Sequence, residues 1–292
     1  GEGVKKAAGE VGWKVTVIDG RNSPQGWREG MTQAIALNPD AIVHNALDVN
    51  GLQDLMAQAE VKGIKQVAIH GTSTPGPHPD LHLFYNVQQD PEAIGAAQAD
   101  FIIAHSNGTA KVVLVTHGEY AITHLKIKGV KDELAKCPGC KVLEVSDYPF
   151  AEAAQRAGQN AVGWVQKYGT PLYINSTSDV DGTYMVPGLR TAGVNPKDAI
   201  ISTADGQKDA YVRIASGDQY WTAVVAEPLE AEGYHVVDEL NRAFNNQPPS
   251  GYVEKPYVVT RDNMDKAGGP KSMYIPENDY AKNYRKVWGL SQ

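Results

Sequence analysis

The sequence predicts an α/β protein made of two doubly wound parallel-sheet lobes. Short apolar runs alternate with longer stretches of helical period along most of its 292 residues, and that alternation gives parallel strands covered on both faces. The runs are too many for one compact sheet, and the length suits two cores better than one. Between two apolar units, residues 106–110 (SNGTA) are small and polar and break the pattern.

The chain opens on GEGVKKAAGEVG, which has the pattern of the second half of a helix. WKVTVID (13–19) reads as a strand and SPQGWREGMTQAIAL (23–37) as a helix. AIVHN (41–45) is a strand, NGLQDLMAQAEVKG (50–63) a helix closed by Gly63, and KQVAIH (65–70) a strand. The next helix, 90–108, is well marked, with Asp90 as N-cap, Pro91 in the first position and Gly108 just past the end. A second set follows: KVVLVTHG, ITHLKIKGVKDELAK, KVLEVSDYP, AEAAQRAGQNAVGWVQKYG, PLYINST, a helix from about residue 178, AIISTAD, KDAYVRIASG and WTAVVAE.

Composition narrows the function classes. A net charge of −7 without any Lys/Arg run argues against nucleic acid and anionic membrane as partners. The longest apolar stretches, such as VVLV and TAVVA, are too short to span a bilayer. The two cysteines fall in KCPGCKV, after a helix rather than at its start. A redox pair wants its first thiol at a helix N-terminus, and a zinc site needs two more ligands at standard spacing. The pair is therefore read as structural. If it is oxidised, the compartment is an oxidising one.

In doubly wound sheets, ligands bind outside the carboxyl ends of the strands. Those ends are polar here: His44, Asn45 and Asp48; His70, Gly71 and Thr72; Thr116, His117 and Glu119; Ser176 to Asp181; Asp205; Glu227. Each has an ordinary alternative. Asp179 or Asp181 could cap the next helix, and Asp205 before Gly206 could make a turn. Together they read as a polar cleft that hydrogen-bonds a hydroxyl-rich molecule. Within that reading Asp179 accepts from ligand hydroxyls and Asp181 caps the helix. The histidines match no compact metal motif, so neutral imidazoles contacting a ligand are expected, with no metal and no cofactor. Tyr120 and Tyr148 follow strand ends and are candidate cleft walls, Trp27 stays open, and Trp164 lies on a helix stripe that points to the core.

The chain resembles the sugar-binding type I periplasmic substrate-binding proteins, the ribose-, galactose- and xylose-binding group. The resemblance rests on VKKAAGEVGWKVTVIDG, QAIALNPDAIVHNALD, AEVKGIKQVAIHG, DPEAIGAAQADFI, KGVKDELA, SDVDGTYMVPGLRTAGV and ADGQKDAYVRIASGDQYWTAVVAEPLEAEGYHVVDEL, in that order, up to about residue 260. It implies two lobes joined by a three-stranded hinge, with residues 1–107 and 229–257 in one and 108–228 and 258–292 in the other. It also implies a monomer that closes on a small carbohydrate-like ligand in the periplasm and delivers it to the membrane subunits of an ABC transporter. By position it assigns ligand contacts to Asp90, His124, Phe150, Asp179, Asp205 and Glu227, and the strand ends add His44, Asn45, His70 and His117. The sequence departs from the family where many members carry Asp-Arg and this chain has His70-Gly71, where a family Arg falls near His124, and in the insert GTSTPGPHPDLH (71–82). The family's first strand is not matched, so an upstream segment is expected.

Two other function classes compete with this one. A cytosolic regulator with the same ligand-binding core would carry a basic helix-turn-helix module, which this chain lacks; a chemoreceptor- or sensor-linked binding protein would share the ligand chemistry. An enzyme is not expected, since no Gly-x-Ser-x-Gly, P-loop or Gly-x-Gly-x-x-Gly follows a strand.

Overall fold

The computed structural model describes residues 1–21, 23–217, 220–270 and 272–290. In chain order its elements are α1 (Glu2–Glu10), α2 (Pro24–Ala36), β1 (Ala41–Asn45), α3 (Gln53–Val61), β2 (Lys65–Ile69), β3 (Gly76–His78), β4 (Leu83–Val87), α4 (Pro91–His105), β5 (Lys111–Thr116), α5 (Ala121–Leu134), β6 (Lys141–Asp147), α6 (Ala153–Tyr168), β7 (Leu172–Ser176), α7 (Asp179–Thr191), β8 (Ala199–Asp205), α8 (Lys208–Ser216), β9 (Trp221–Ala226), α9 (Leu229–Phe244), β10 (Tyr257–Thr260) and α10 (Tyr280–Val287). They form two compact units. Unit 1 is Gly1–Gln89, Leu229–Glu254 and Asn278–Gln292, and unit 2 is Asp90–Pro228 and Lys255–Glu277.

Unit 1 carries a sheet in the order β1-β2-β4-β3. β1, β2 and β4 are parallel, and β3 runs antiparallel to β4. Val67, Ile69, Tyr85 and Val87 pack against Val4 of α1 and Val236 and Leu240 of α9. Tyr234 on α9 then stacks on Trp288, at a ring separation of 5.9 Å, and meets Tyr280 edge-on, which ties the C-terminal helix α10 to this unit.

Unit 2 carries a sheet in the order β10-β9-β8-β7-β5-β6, parallel except for β10. Its central strands are apolar at consecutive positions because both faces are covered. On β5 the period of two sends Val112 and Leu114 to the α4–α5 side, with Ile102 and Val130. Val113 and Val115 go to the α6–α7 side, with Trp164, Met185 and Leu189. α4 and α5 touch backbone to backbone. A Cβ added at Gly95 would lie 2.0 Å from the Lys126 carbonyl oxygen, and one at Gly129 would lie 2.1 Å from that of Glu92. Only glycine permits that approach, and it fixes where Lys126 sits.

Several expectations are corrected. WKVTVID forms no strand: residues 13–20 pair with no other strand among the described residues, and Val15 and Val17 are 39% and 65% exposed. A strand without a ladder partner leaves its backbone groups to water. LFYNV and YVVT are strands that the reading did not mark, and the 71–82 insert contributes β3. The boundary expected at 107/108 lies instead at 89/90, because α4 packs on α5, β8 and β9. The tail also divides differently. β10 pairs with β9 in unit 2, and α10 packs on α9 in unit 1. Cys137 and Cys140 are disulfide-bonded just past α5.

Gly95→Ala is expected to destabilise the protein by about 1–3 kcal/mol, the ordinary range for an overpacked contact. Thermal unfolding of the variant checks this, and an unchanged melt would refute the close α4–α5 approach.

Candidate functional site

The parallel strands of unit 2 end side by side in the order β9, β8, β7, β5, β6. Their carboxyl ends bring together Glu227, Asp205, the 176–181 segment, Thr116 and His117, and the Tyr148–Phe150 segment. Two hydrogen-bonded networks occupy this edge.

The first begins at the entrance to α7. Ser178 is the N-cap, with φ −144° and ψ 148°, and its Oγ accepts from the Val180 amide at 3.3 Å. Neither Asp179 nor Asp181 is needed as the cap. Asp181 is completely buried and accepts from His117 Nε2 at 3.0 Å, Tyr148 OH at 2.6 Å and Ser176 Oγ at 2.5 Å. His117 Nδ1 faces the Tyr148 carbonyl at 2.9 Å. Both ring nitrogens therefore face acceptors and both must donate, so the imidazole is cationic. Burial alone would push its pKa down, but the Asp181 hydrogen bond and charge outweigh burial and raise it. The His117 ring lies edge-on to Tyr148 and Phe150, with centroids 5.2 and 5.1 Å away.

The second network holds three acids and one lysine. Asp179 is 1% exposed and accepts from Thr203 Oγ1 at 2.5 Å and the Gln207 amide at 2.6 Å. Thr203 in turn accepts from Trp221 Nε1 at 2.9 Å. Burial first, and then the neighbouring Asp205 charge, raise the Asp179 carboxyl well above its ordinary value of 3.8. Asp205, held at φ +116°, accepts from Ser178 Oγ at 2.9 Å and the Asp179 amide at 3.3 Å. Lys126 Nζ reaches Glu227 Oε1 at 3.0 Å, Asp205 Oδ1 at 3.4 Å and the Thr177 carbonyl at 3.5 Å. Burial opposes its charge, but Glu227 and then Asp205 more than offset that and hold the ammonium protonated. The side chains of Lys126 and Glu227 are 5% and 1% exposed, whereas that of Asp205 is 23% exposed. Thr116 Oγ1 and Thr177 Oγ1 lie at the same edge, buried and with no hydrogen-bond partner among the described residues.

Five of the residues expected at a site meet here: His117, Phe150, Asp179, Asp205 and Glu227. The roles of the two α7 acids differ from expectation, since Asp181 anchors a buried cation and Asp179 is enclosed by its own donors. His124 is exposed, and its Nε2 lies 3.0 Å from the Gly118 carbonyl. The buried cation is Lys126, two positions on. The signal was present in the α5 stripe Thr123, Lys126, Ile127 and Val130, whose helical spacing puts a lysine on the inward face. Asp90 is exposed and caps α4, accepting from the Glu92 amide at 3.0 Å. The remaining three lie in unit 1. His44 is buried against Gln66, with Nε2 3.2 Å from its Oε1. Asn45 is exposed at the end of β1. His70, at φ +52°, faces Glu232 Oε1 at 3.2 Å.

Two of these groups make stability depend on pH. Asp179 has a raised folded pKa, so its contribution is complete below about 3.8 and is lost as pH rises through the folded value. Asp179→Asn, which keeps the shape and removes the titration, should therefore gain stability relative to the parent as pH rises above about 3.8; a constant difference in melting temperature would refute this. Burial lowers His44 from 6.5 to about 4, so its contribution is intact above about 6.5 and is lost as pH falls. The acid-side loss should approach about 3 kcal/mol, and His44→Gln should flatten that limb of the pH–melting curve.

The solved structures that match this fold share little sequence with it. The periplasmic binding protein component of the arabinose ABC transporter from Shewanella sp. ANA-3, bound to L-arabinofuranose, is 17% identical with a TM-score of 0.78, covering 99% of this chain and 91% of that one. A glucose-galactose binding protein from Geobacillus stearothermophilus is 18% identical with a TM-score of 0.77, covering 90% and 91%. An ABC transporter solute binding protein from Agrobacterium vitis with bound allitol is 15% identical with a TM-score of 0.78, covering 91% of each chain. Among curated proteins, none matches the sequence. The family model described as periplasmic binding protein domain matches residues 1–248, and the chain belongs to that family.

Proposed function

We propose that this protein is an extracytoplasmic solute-binding protein that takes a small polyhydroxy ligand, a sugar or polyol, and delivers it to the membrane subunits of an ABC transporter. The carboxyl edge of the unit 2 sheet supplies ligand contacts. The observation that carries the reading is Asp205. It is a carboxylate at a strand end, held by Ser178 and Lys126, and more exposed than the Lys126 and Glu227 side chains behind it. A carboxylate offers about four acceptor positions. Three of those on Asp205 are taken within the protein, which leaves one for a ligand hydroxyl. The Thr116 and Thr177 hydroxyls add donor and acceptor capacity beside it, and Phe150 and Tyr120, edge-on at 6.0 Å, supply an aromatic surface for the apolar face of a sugar ring. The relatives whose structures hold arabinofuranose and allitol support the same ligand class. The Cys137–Cys140 disulfide fits an oxidising compartment.

A thermal-shift panel of pentoses, hexoses and polyols tests this. Ligand at a hundred times its dissociation constant should add about 2.7 kcal/mol. Asp205→Ala should remove the shift while leaving a cooperative melt. A panel with no shift from any member would overturn the proposal.

A further inference from the structure

The segment after β6 that carries Phe150 is fastened to its neighbours at several points. The Tyr148 amide donates to the Thr116 carbonyl at 3.3 Å, the Tyr148 phenol to Asp181 Oδ1 at 2.6 Å, and the Phe150 amide to Glu119 Oε1 at 2.6 Å. A further anchor is the Tyr148 carbonyl, which accepts from His117 Nδ1 at 2.9 Å while Nε2 of the same ring donates to Asp181 Oδ2 at 3.0 Å. The ring also meets Phe150 edge-on, with centroids 5.1 Å apart. We propose that His117 is a positioning residue for ligand binding: its doubly donating ring fastens the 148–150 segment to α7, holds Phe150 where the ligand meets it, and releases it as pH rises. This rests on the binding-protein reading above and adds a regulation to the same site.

The physical argument concerns which contact loses a proton. The charged and titratable groups that face the ring are Asp181 from α7, Tyr148 from the segment after β6 and Glu119 from the loop after β5. β7 and α5 bring hydroxyls, Ser176 to Asp181 and Thr123 to the His117 carbonyl. Burial lowers the pKa of the ring, but Asp181, the Tyr148 carbonyl and Glu119 together raise it above 6.5. The charged form is therefore complete below about 6.5 and is lost as pH rises through the folded value. The Tyr148 phenol keeps its proton, because burial and the Asp181 charge push it up. On a neutral ring the one proton stays on Nε2, against the carboxylate, since the bond to a charged acceptor is the stronger. Nδ1 then turns a lone pair on the Tyr148 carbonyl, acceptor against acceptor, and the segment moves off with Phe150.

The test is titration calorimetry of the full chain with L-arabinose, D-galactose and allitol, from about pH 6 to about pH 10. Affinity for a probe that binds should fall about tenfold or more toward the alkaline end, the worth of one hydrogen bond to a charged group. Heats in buffers of different ionisation enthalpy should show a proton taken up with the ligand there. Nitrogen NMR of the histidine-labelled chain should show both His117 ring nitrogens protonated near neutral pH. Phe150→Leu should bind more weakly and lose the pH dependence, because the ring that His117 positions is gone. A general alkaline loosening, as from Asp179 in the other network, would persist in that variant. His117→Gln, which keeps one donating nitrogen, should bind with the parent's alkaline affinity at every pH. A bare His117 nitrogen near neutral pH overturns the inference. So does an affinity that does not fall toward alkaline pH, or one that falls equally in Phe150→Leu; each of these leaves the binding-protein reading standing. If none of the three probes binds, the binding reading fails and the inference with it. The parent's own pH profile and ring protonation decide the matter even where a variant does not fold.

Discussion

Four carboxylates, those of Asp179, Asp181, Asp205 and Glu227, gather at one edge of the unit 2 sheet, three of them almost fully buried, and each must be met by donors or lose its charge. The surrounding structure is the set of answers to that requirement. Asp181 has a cationic imidazole, a phenol and a hydroxyl. Asp205 and Glu227 share a buried ammonium. Asp179 has a hydroxyl and a backbone amide but no cation, and its pKa rises accordingly. Removing any one donor would leave an acid stranded in a low-dielectric setting, which is why these networks fix side-chain positions so firmly.

The supporting architecture follows from the same need. Lys126 reaches its acids only because α5 lies hard against α4, and that approach depends on Gly95 and Gly129 having no side chain. The parallel order β9-β8-β7-β5 brings Glu227, Asp205, the α7 entrance and His117 into adjacent positions, although they are spread over more than a hundred residues of sequence. Ser178 takes the cap of α7 and, through the same oxygen, donates to Asp205. One serine therefore starts the helix and orients the carboxylate that is proposed to meet the ligand. Fold and site share these contacts, so a change in helix packing reaches the site directly.

The α/β class, the two-part division and most strands and helices were legible in the sequence, because burial on both faces writes itself as short apolar runs and helical period is local. WKVTVID also has a strand's composition, but a strand exists only by pairing, and no strand among the described residues pairs with it. LFYNV and YVVT are short, and what makes them strands is the ladder with β2 and β9. The polar strand ends were legible as a group because the carboxyl ends of parallel strands are where ligands bind. What each does was not. Whether Asp179, Asp181 or Ser178 caps α7 depends on which residue keeps extended backbone and on which donors converge from β5, β6 and β8.

The sequence by itself determined the fold class, the family and the segments that end in polar residues, since these depend on local pattern and order along the chain. Tertiary structure decided which cation is buried, Lys126 rather than His124; which acid stays partly exposed, Asp205 rather than Asp179; and that His44 faces Gln66 in the interior of unit 1. Those outcomes depend on distances between residues far apart in sequence. The energy of a charge is set by what surrounds it in space, and no local pattern encodes that.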